Sequence, residues 1–199
     1  MNMLPRSLYG TADWQSALRA TLADPELRTV SGGQADGHRF FCAAILGAPS
    51  LWAEAREAVR EGDLIEAAKR AAAAARRSLS DAVSYEFGPV SGSANAVAVI
   101  TPFISKDMRP DDSALEAVAL DPGTAAGLFG LAFHAVFDGW RQDPSVTRAK
   151  VKTVSVSADS EIPAIFDGER IEFARHAEIK FLPTAFRAIV PRTIDNEAQ

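Results

Sequence analysis

Two kinds of hydrophobic spacing divide this chain. Near its start, Trp14, Leu18 and Leu22 recur at helical intervals behind Thr11-Ala12-Asp13. That spacing predicts a helix capped by Thr11, with the three apolar side chains on one face. "ELRTVSGG" and "GHRFFCAAILG" predict two strands joined through a Gly-Gly-Gln-Ala-Asp-Gly turn. The following "PSLWAEAREAVREGDLIEAAKRAAAAARRSLSDA" is rich in Ala, Glu, Arg and Leu, all good helix formers. Gly62-Asp63 interrupts it, so two helices are expected, with Asp63 capping the second.

From Val83 onward the period shortens to two. "AVSYEF", "ANAVAVIT", "LEAVAL", "AKVKTVSVSA", "IPAIF", "RIEF", "AEIKFL" and "FRAIV" are short runs rich in Val, Ile, Phe or Thr, separated by turn residues. "VKTVSVS" alternates as a half-buried antiparallel strand does. One apolar segment from Gly123 to about Trp140 reads as an inserted helix. The expected class is therefore α+β: a mostly antiparallel, β-sandwich-like body (or an open barrel) with inserted helices. The polar end "RTIDNEAQ" is expected to fray.

Charge and composition narrow the function classes. The 199 residues carry 26 Asp and Glu against 21 Lys and Arg, a net charge of −5, so duplex nucleic acid is not an expected partner. The opening "MNMLPRSLYG" lacks the basic and apolar regions of a secretory leader. The apolar run Gly123–Phe137 falls short of the roughly 20 residues a bilayer-spanning helix needs. The single cysteine, Cys42, lies in "FFCAAILG" and reads as a core residue in a reducing compartment. These features point to a cytoplasmic protein.

The sharpest local signal is Phe166-Asp167-Gly168-Glu169-Arg170. Asp-Gly between two strand patterns specifies a two-residue hairpin turn, because both positions tolerate positive φ. A carboxylate held on such a hairpin can also accept a proton from a substrate hydroxyl. Asp111-Asp112-Ser113 is either a solvated turn or, with backbone carbonyls, a hard-cation site. His134 reads as a pocket-wall or core residue, and His38 and His176 lack companions at metal-ligand spacing. Arg148, Lys150 and Lys152 alternate along one strand pattern, so they share a face. That face is either simply solvated or suited to phosphates and anionic membranes. No Walker loop, zinc spacing or nucleophile elbow is present.

In order along the chain, these pieces resemble the diacylglycerol kinase catalytic family, which includes bacterial lipid kinases and sphingosine kinases. Asn2-Met3-Leu4-Pro5-Arg6 resembles the Asn-to-Arg part of the family's Gly-Thr-x-Asn motif. "ADGHRFFCAAILGAP" resembles the strand entering the second domain, and "REAVREG" the helix after it. "DDSALEAVAL" resembles the Asp-Asp-Gly-x-Leu segment, and "IPAIFDGERI" with "EIKFLPTAFRAIVP" the closing hairpin and last strand. Met3 stands where the family often has Asp, and Ser113 where it has Gly.

The resemblance implies an ATP-dependent transfer of phosphate, with Mg²⁺, to a hydroxyl of a diacylglycerol-like or sphingoid lipid. It makes Glu169 the base and Asp167 an orienting group, places Asn2 and Arg6 near the nucleotide cleft, and gives Asp112 and the carbonyl of Ala114 a structural cation. Residues 1–26 would be the end of a nucleotide-binding domain, 27–191 a β-rich lipid-binding domain and 192–199 a polar tail. The family's Gly-Gly-Asp-Gly-Thr loop is not among the 199 residues, so the resemblance implies that it precedes Met1 and that the chain by itself is inactive. The implied location is the inner face of the cytoplasmic membrane, bound peripherally, and a homodimer stays open. Two other classes stay open as well: a non-catalytic lipid- or membrane-binding module, and NAD kinase-like nucleotide phosphorylation.

Overall fold

The computed structural model describes residues 3–11, 13–47, 82–120 and 146–192. The expected helices within 48–81 and from Gly123 to about Trp140, His134 with them, lie outside the described residues, as do Asn2 and the tail beyond Arg192. Two helices come first, α1 (Met3–Tyr9) and α2 (Trp14–Ala23). The strands β1 (Pro25–Ala35), β2 (His38–Phe40) and β3 (Ala43–Gly47) follow. Then come β4 (Val83–Phe87), β5 (Val90–Ala94), β6 (Ala96–Ile100) and β7 (Leu115–Leu120). The last are β8 (Val146–Val151), β9 (Thr153–Ser157), β10 (Ile162–Phe166), β11 (Glu169–Phe173) and β12 (His176–Pro191).

The strands form two six-stranded sheets, ordered β2-β1-β12-β9-β4-β5 and β11-β10-β3-β6-β7-β8, and the pairings are antiparallel. The inward residues of both interdigitate in one core, with Phe40, Phe87, Val154 and Ile179 from the first sheet against Leu46, Val97, Leu115, Ile162 and Phe166 from the second. Each of these side chains is buried, and full burial contributes about 1.5–3 kcal/mol apiece. The sandwich expected from the period-two pattern is the fold observed.

The chain weaves between the sheets at sharp corners, and this is where the sequence pattern misleads. "GHRFFCAAILG" reads as one strand, yet it is β2 in the first sheet and β3 in the second, divided at Phe41-Cys42. "AKVKTVSVSA" likewise divides at Lys152 into β8 and β9, in different sheets. "AEIKFL" and "FRAIV" show the reverse error, because both belong to the 16-residue β12. Pro183 suggested a break between them. Between the pairs Val30↔Phe186 and Gly32↔Leu182, however, the register slips, and Pro183 falls in that bulge where no ladder N–H is required. β1 also runs straight through Gly32-Gly33, with the turn confined to Asp36-Gly37, both at positive φ. Gly33 is glycine for packing: a Cβ there would lie 2.1 Å from the Phe40 ring.

The far half of the β1–β12 ribbon carries the helices. Leu8 of α1 is buried against Val30 and Val190, with Leu4, Tyr9, Phe103 and Phe186 around it. The α2 cap is Asp13 rather than Thr11: its carboxylate accepts the Ser16 N–H at 3.0 Å and the Ser16 hydroxyl at 2.5 Å. The Ser16 hydroxyl holds the Asp13 carboxyl below its usual range. The Thr11 hydroxyl supports the cap one step back by accepting the Asp13 N–H. The expected apolar face of this helix is open, with Trp14, Leu18 and Leu22 exposed beside Ile189. Trp14 and Leu18, with Pro5, Tyr9 and Ile189, line a groove of about 410 Å³ between α1, α2 and β12. No helix among the described residues is long and apolar enough to cross a membrane.

Candidate functional site

The Asp167-Gly168 turn has the geometry its sequence requires, φ 52° and 101°. It closes the β10–β11 hairpin with Phe166 opposite Glu169. Its carboxylate has a task the hairpin alone does not explain. One oxygen accepts the Phe41 N–H at 2.6 Å, and the other accepts those of Cys42 and Ala43, both at 2.9 Å. The Asp167 N–H returns a bond to the Ala43 carbonyl at 2.9 Å. Asp167 thus binds the corner where the chain crosses from β2 to β3.

The carbonyl side of that corner belongs to Thr101, which is fully buried. Its hydroxyl lies 2.8 Å from the Phe41 carbonyl and 3.2 Å from that of Cys42, and its N–H donates to the Cys42 carbonyl at 3.0 Å. Every backbone polar group from Phe41 to Cys42 therefore has a partner, although neither residue lies in a ladder. A half-buried corner gains from this, since backbone groups that lose water without finding a partner are costly. Sequence reasoning missed Thr101, because a lone Thr at a strand end carries no distinguishing pattern.

Glu169 has a different position. Residues directly opposite in an antiparallel pair share a face, so Glu169 lies on the same side as Phe166, the side turned toward the other sheet. Phe166 is buried, whereas Glu169, at the end of the strand, is exposed at the rim of the sandwich. The two acidic residues of one turn thus separate: Asp167 spends both oxygens on backbone, and Glu169 presents its carboxylate at the rim.

Cys42 lies beside this turn and is half-buried. Burial, and then the Asp167 carboxylate, push its thiol up to about 11, while a bond from the Leu4 N–H pulls weakly the other way. The thiol is therefore neutral at ordinary pH, which does not suit nucleophilic work, but Cys42 sits half-buried at the corner rather than in the core where it was expected. The Leu4 contact also brings the first turn of α1 to the corner. Arg6 on that helix is exposed, and Asn2 lies outside the described residues. Because the raised value favours the protonated, folded form, stability should be lost as pH climbs from about 9 through about 11. Urea midpoints across that range, compared with Cys42→Ala, check this: the parent should fall more steeply.

The same rim continues across the second sheet. Transverse pairs run Ala43↔Ile100, Ile100↔Glu116 and Glu116↔Lys150, which leads from the Asp167 corner to the opposite edge. Over this end folds the loop 101–114. Phe103 packs toward Leu8, and the Ser105 hydroxyl bonds the buried Glu116 carboxylate at 2.5 Å. Arg148 bonds Asp107 and lies 3.6 Å from Glu116.

Asp112 and Ala114 sit in this loop, as candidates for a structural cation. The Asp112 carboxylate accepts the Arg109 N–H at 3.1 Å, and its own N–H donates to the Arg109 carbonyl at 3.0 Å. It also faces the Lys150 ammonium at 3.9 Å. Among the described residues no three His, Cys, Asp or Glu side chains gather into a metal-binding group. One carboxylate turned toward an ammonium does not fit a divalent ion, which takes six or more oxygen ligands. The basic face expected from Arg148, Lys150 and Lys152 is also altered. Arg148 and Lys150 are engaged by Asp107 and Asp112, and Lys152 lies at the β8–β9 corner with its carbonyl bonded to Phe181.

Comparison with known proteins bears on what this arrangement is. No protein-family model matches the sequence, and no curated protein matches it. Solved structures do match. One, described as a diacylglycerol kinase from Bacillus anthracis str. Sterne, superposes at a TM-score of 0.66 with 15% identity over 97% of this chain. A second diacylglycerol kinase structure from that organism gives 0.61 with 13% identity, also over 97%. A third gives 0.52 with 14% identity over 81%.

The chain has the diacylglycerol kinase fold.

It spans 66%, 64% and 57% of the lengths of those three chains. At such identities the likeness is one of backbone. Within the diacylglycerol kinase fold, the chain's own side chains collect the Asp167–Glu169 turn, the Phe41-Cys42 corner, the start of α1 and the loop 101–114 along one rim. The structure brings Asp167 and the first turn of α1 to the Phe41-Cys42 corner, keeps Glu169 two residues on in the same hairpin, and holds Asp112 toward the far edge of the same rim.

Proposed function

We propose that this chain supplies the acceptor side of an ATP-dependent lipid kinase, acting on the hydroxyl of a diacylglycerol-like or sphingoid lipid. The observation that carries the reading is the division of labour in one turn: Asp167 holds the backbone rigid, and Glu169, two residues on, presents a carboxylate at the rim. A base on a rigid hairpin beside an open rim suits removal of a proton from an alcohol. When bound, ATP supplies the transferred phosphoryl group, and such transfer depends mainly on positioning and charge neutralisation. The 199 residues contain no Gly-Gly-Asp-Gly-Thr loop, so that positioning requires the loop from outside them. Mg²⁺ is given no role at Asp112, because the donors there do not suit it. A peripheral stay at the inner membrane surface fits a lipid substrate, with the groove beside Trp14 as an apolar contact.

The chain as it stands tests the acceptor part. Dioctanoylglycerol or sphinganine should shift the amide NMR resonances of residues 39–43, 101–108 and 167–170, and radiolabelled ATP should give no labelled lipid. Shifts produced by NAD and by no lipid alcohol would overturn the reading in favour of a nucleotide acceptor. Lipid labelling by the chain alone would refute its dependence on a nucleotide loop outside these 199 residues.

A further inference from the structure

We infer that the loop 101–114 is closed by the chain's own ammonium, Lys150, which meets oxygens of the kind a hard divalent cation would take, so that this part of the rim is built without metal. The inference does not depend on the kinase reading. It rests on what Lys150 touches.

Lys150 pairs across the ladder with Glu116, so the two side chains leave the sheet on the same face, the one the loop covers. From there its ammonium donates to the Asp107 carbonyl at 2.6 Å and approaches Asp112 Oδ2 at 3.9 Å. A backbone carbonyl and a carboxylate, drawn from two turns of one loop, are the kinds of oxygen a calcium or magnesium ion collects. Here a compact point charge with three donors meets them, and a lysine ammonium has that chemistry. Arg148, two residues before it, bonds Asp107 and lies 3.6 Å from Glu116, so the second cation on this strand serves the same loop. Ser105 bonds Glu116, its Oγ accepts the Asp107 N–H at 3.1 Å, and the Arg109–Asp112 turn adds a local fastening. A divalent ion at Asp112 would sit against the Lys150 ammonium, and the two like charges would repel.

The test is amide hydrogen–deuterium exchange of the loop in the intact chain. In the parent, protection of residues 103–114 should be unchanged by excess EDTA and by millimolar Mg²⁺ or Ca²⁺. Lys150→Met keeps the aliphatic stem and removes the charge; it should speed exchange of these amides by about tenfold, the scale expected for loss of one charge-assisted hydrogen bond. Lys150→Arg should retain most of the protection. If EDTA loosens the loop in the parent, or if Mg²⁺ or Ca²⁺ tightens it, a metal closes it and the inference is wrong. Unchanged exchange in Lys150→Met would equally overturn it. If Lys150→Met does not fold, the parent's response to EDTA and cations decides alone.

Discussion

Asp167→Ala should lower the stability of the chain by about 3 kcal/mol, which for a domain of this size is a fall in Tm of roughly 6–12 °C. The substitution removes the acceptor for three N–H groups at the Phe41-Cys42 corner. Hydrogen bonds to a charged group are worth about 1.5–3 kcal/mol each when well shielded, and solvent at this exposed turn reduces that. Alanine at φ 52° adds a left-handed backbone cost of about 1 kcal/mol. Two further variants separate the contributions. Asp167→Gly relieves the backbone but supplies no acceptor. Asp167→Asn keeps a residue that tolerates this φ, yet turns an amide NH₂ toward donors where a carboxylate oxygen stood. Both should lose about 2 kcal/mol, read as thermal or urea midpoints. If Asp167→Asn and Asp167→Gly match the parent, the carboxylate does not bind the corner and only the turn conformation matters.

The Asp167 clamp also shows how far the sequence could be read. The Asp-Gly turn was legible because its chemistry is local: two adjacent residues must both adopt positive φ, and few pairs do. What the Asp167 side chain holds was not legible, because Phe41, Cys42 and Ala43 are more than 120 residues away in the chain. The strands after Val83 were legible from their alternation, and so was the sandwich. The corners were not, because a strand that leaves one sheet and enters the other keeps its apolar alternation through Phe41-Cys42 and through Lys152. β5 was missed because "VSGSA" has almost no apolar side chain to mark it; among the described residues it pairs only with β4. At Trp14, Leu18 and Leu22 the helix was found, but its apolar face is exposed, so periodicity located the element and not its packing. Of the candidate residues, Asp167 and Glu169 were found through the turn. Lys150 was read as part of a basic face because the carboxylate and carbonyl that meet it come from a loop with no periodic signal.

When the chain is joined to the nucleotide-loop region that the resemblance implies, Glu169→Gln should reduce kcat by about 10²–10⁴-fold, the usual cost of removing a general base. Glutamine preserves the size and polarity of the side chain, and residue 169 remains opposite Phe166 in the same ladder position. The fold should therefore hold, and the Tm should stay within about 2 °C of the parent, since surface changes away from special contacts shift stability by only about 0.5 kcal/mol. KM for the lipid should change little, because a base acts in the transition state more than in substrate binding. This pattern is the reverse of that expected at Asp167, where stability falls first and activity follows only as the corner loosens. Comparing the two variants therefore distinguishes a reacting carboxylate from a structural one within a single three-residue stretch. Turnover of the Glu169→Gln protein at the parent rate would remove Glu169 from the chemistry and leave the hairpin with only its structural part, the clamp on the β2–β3 corner.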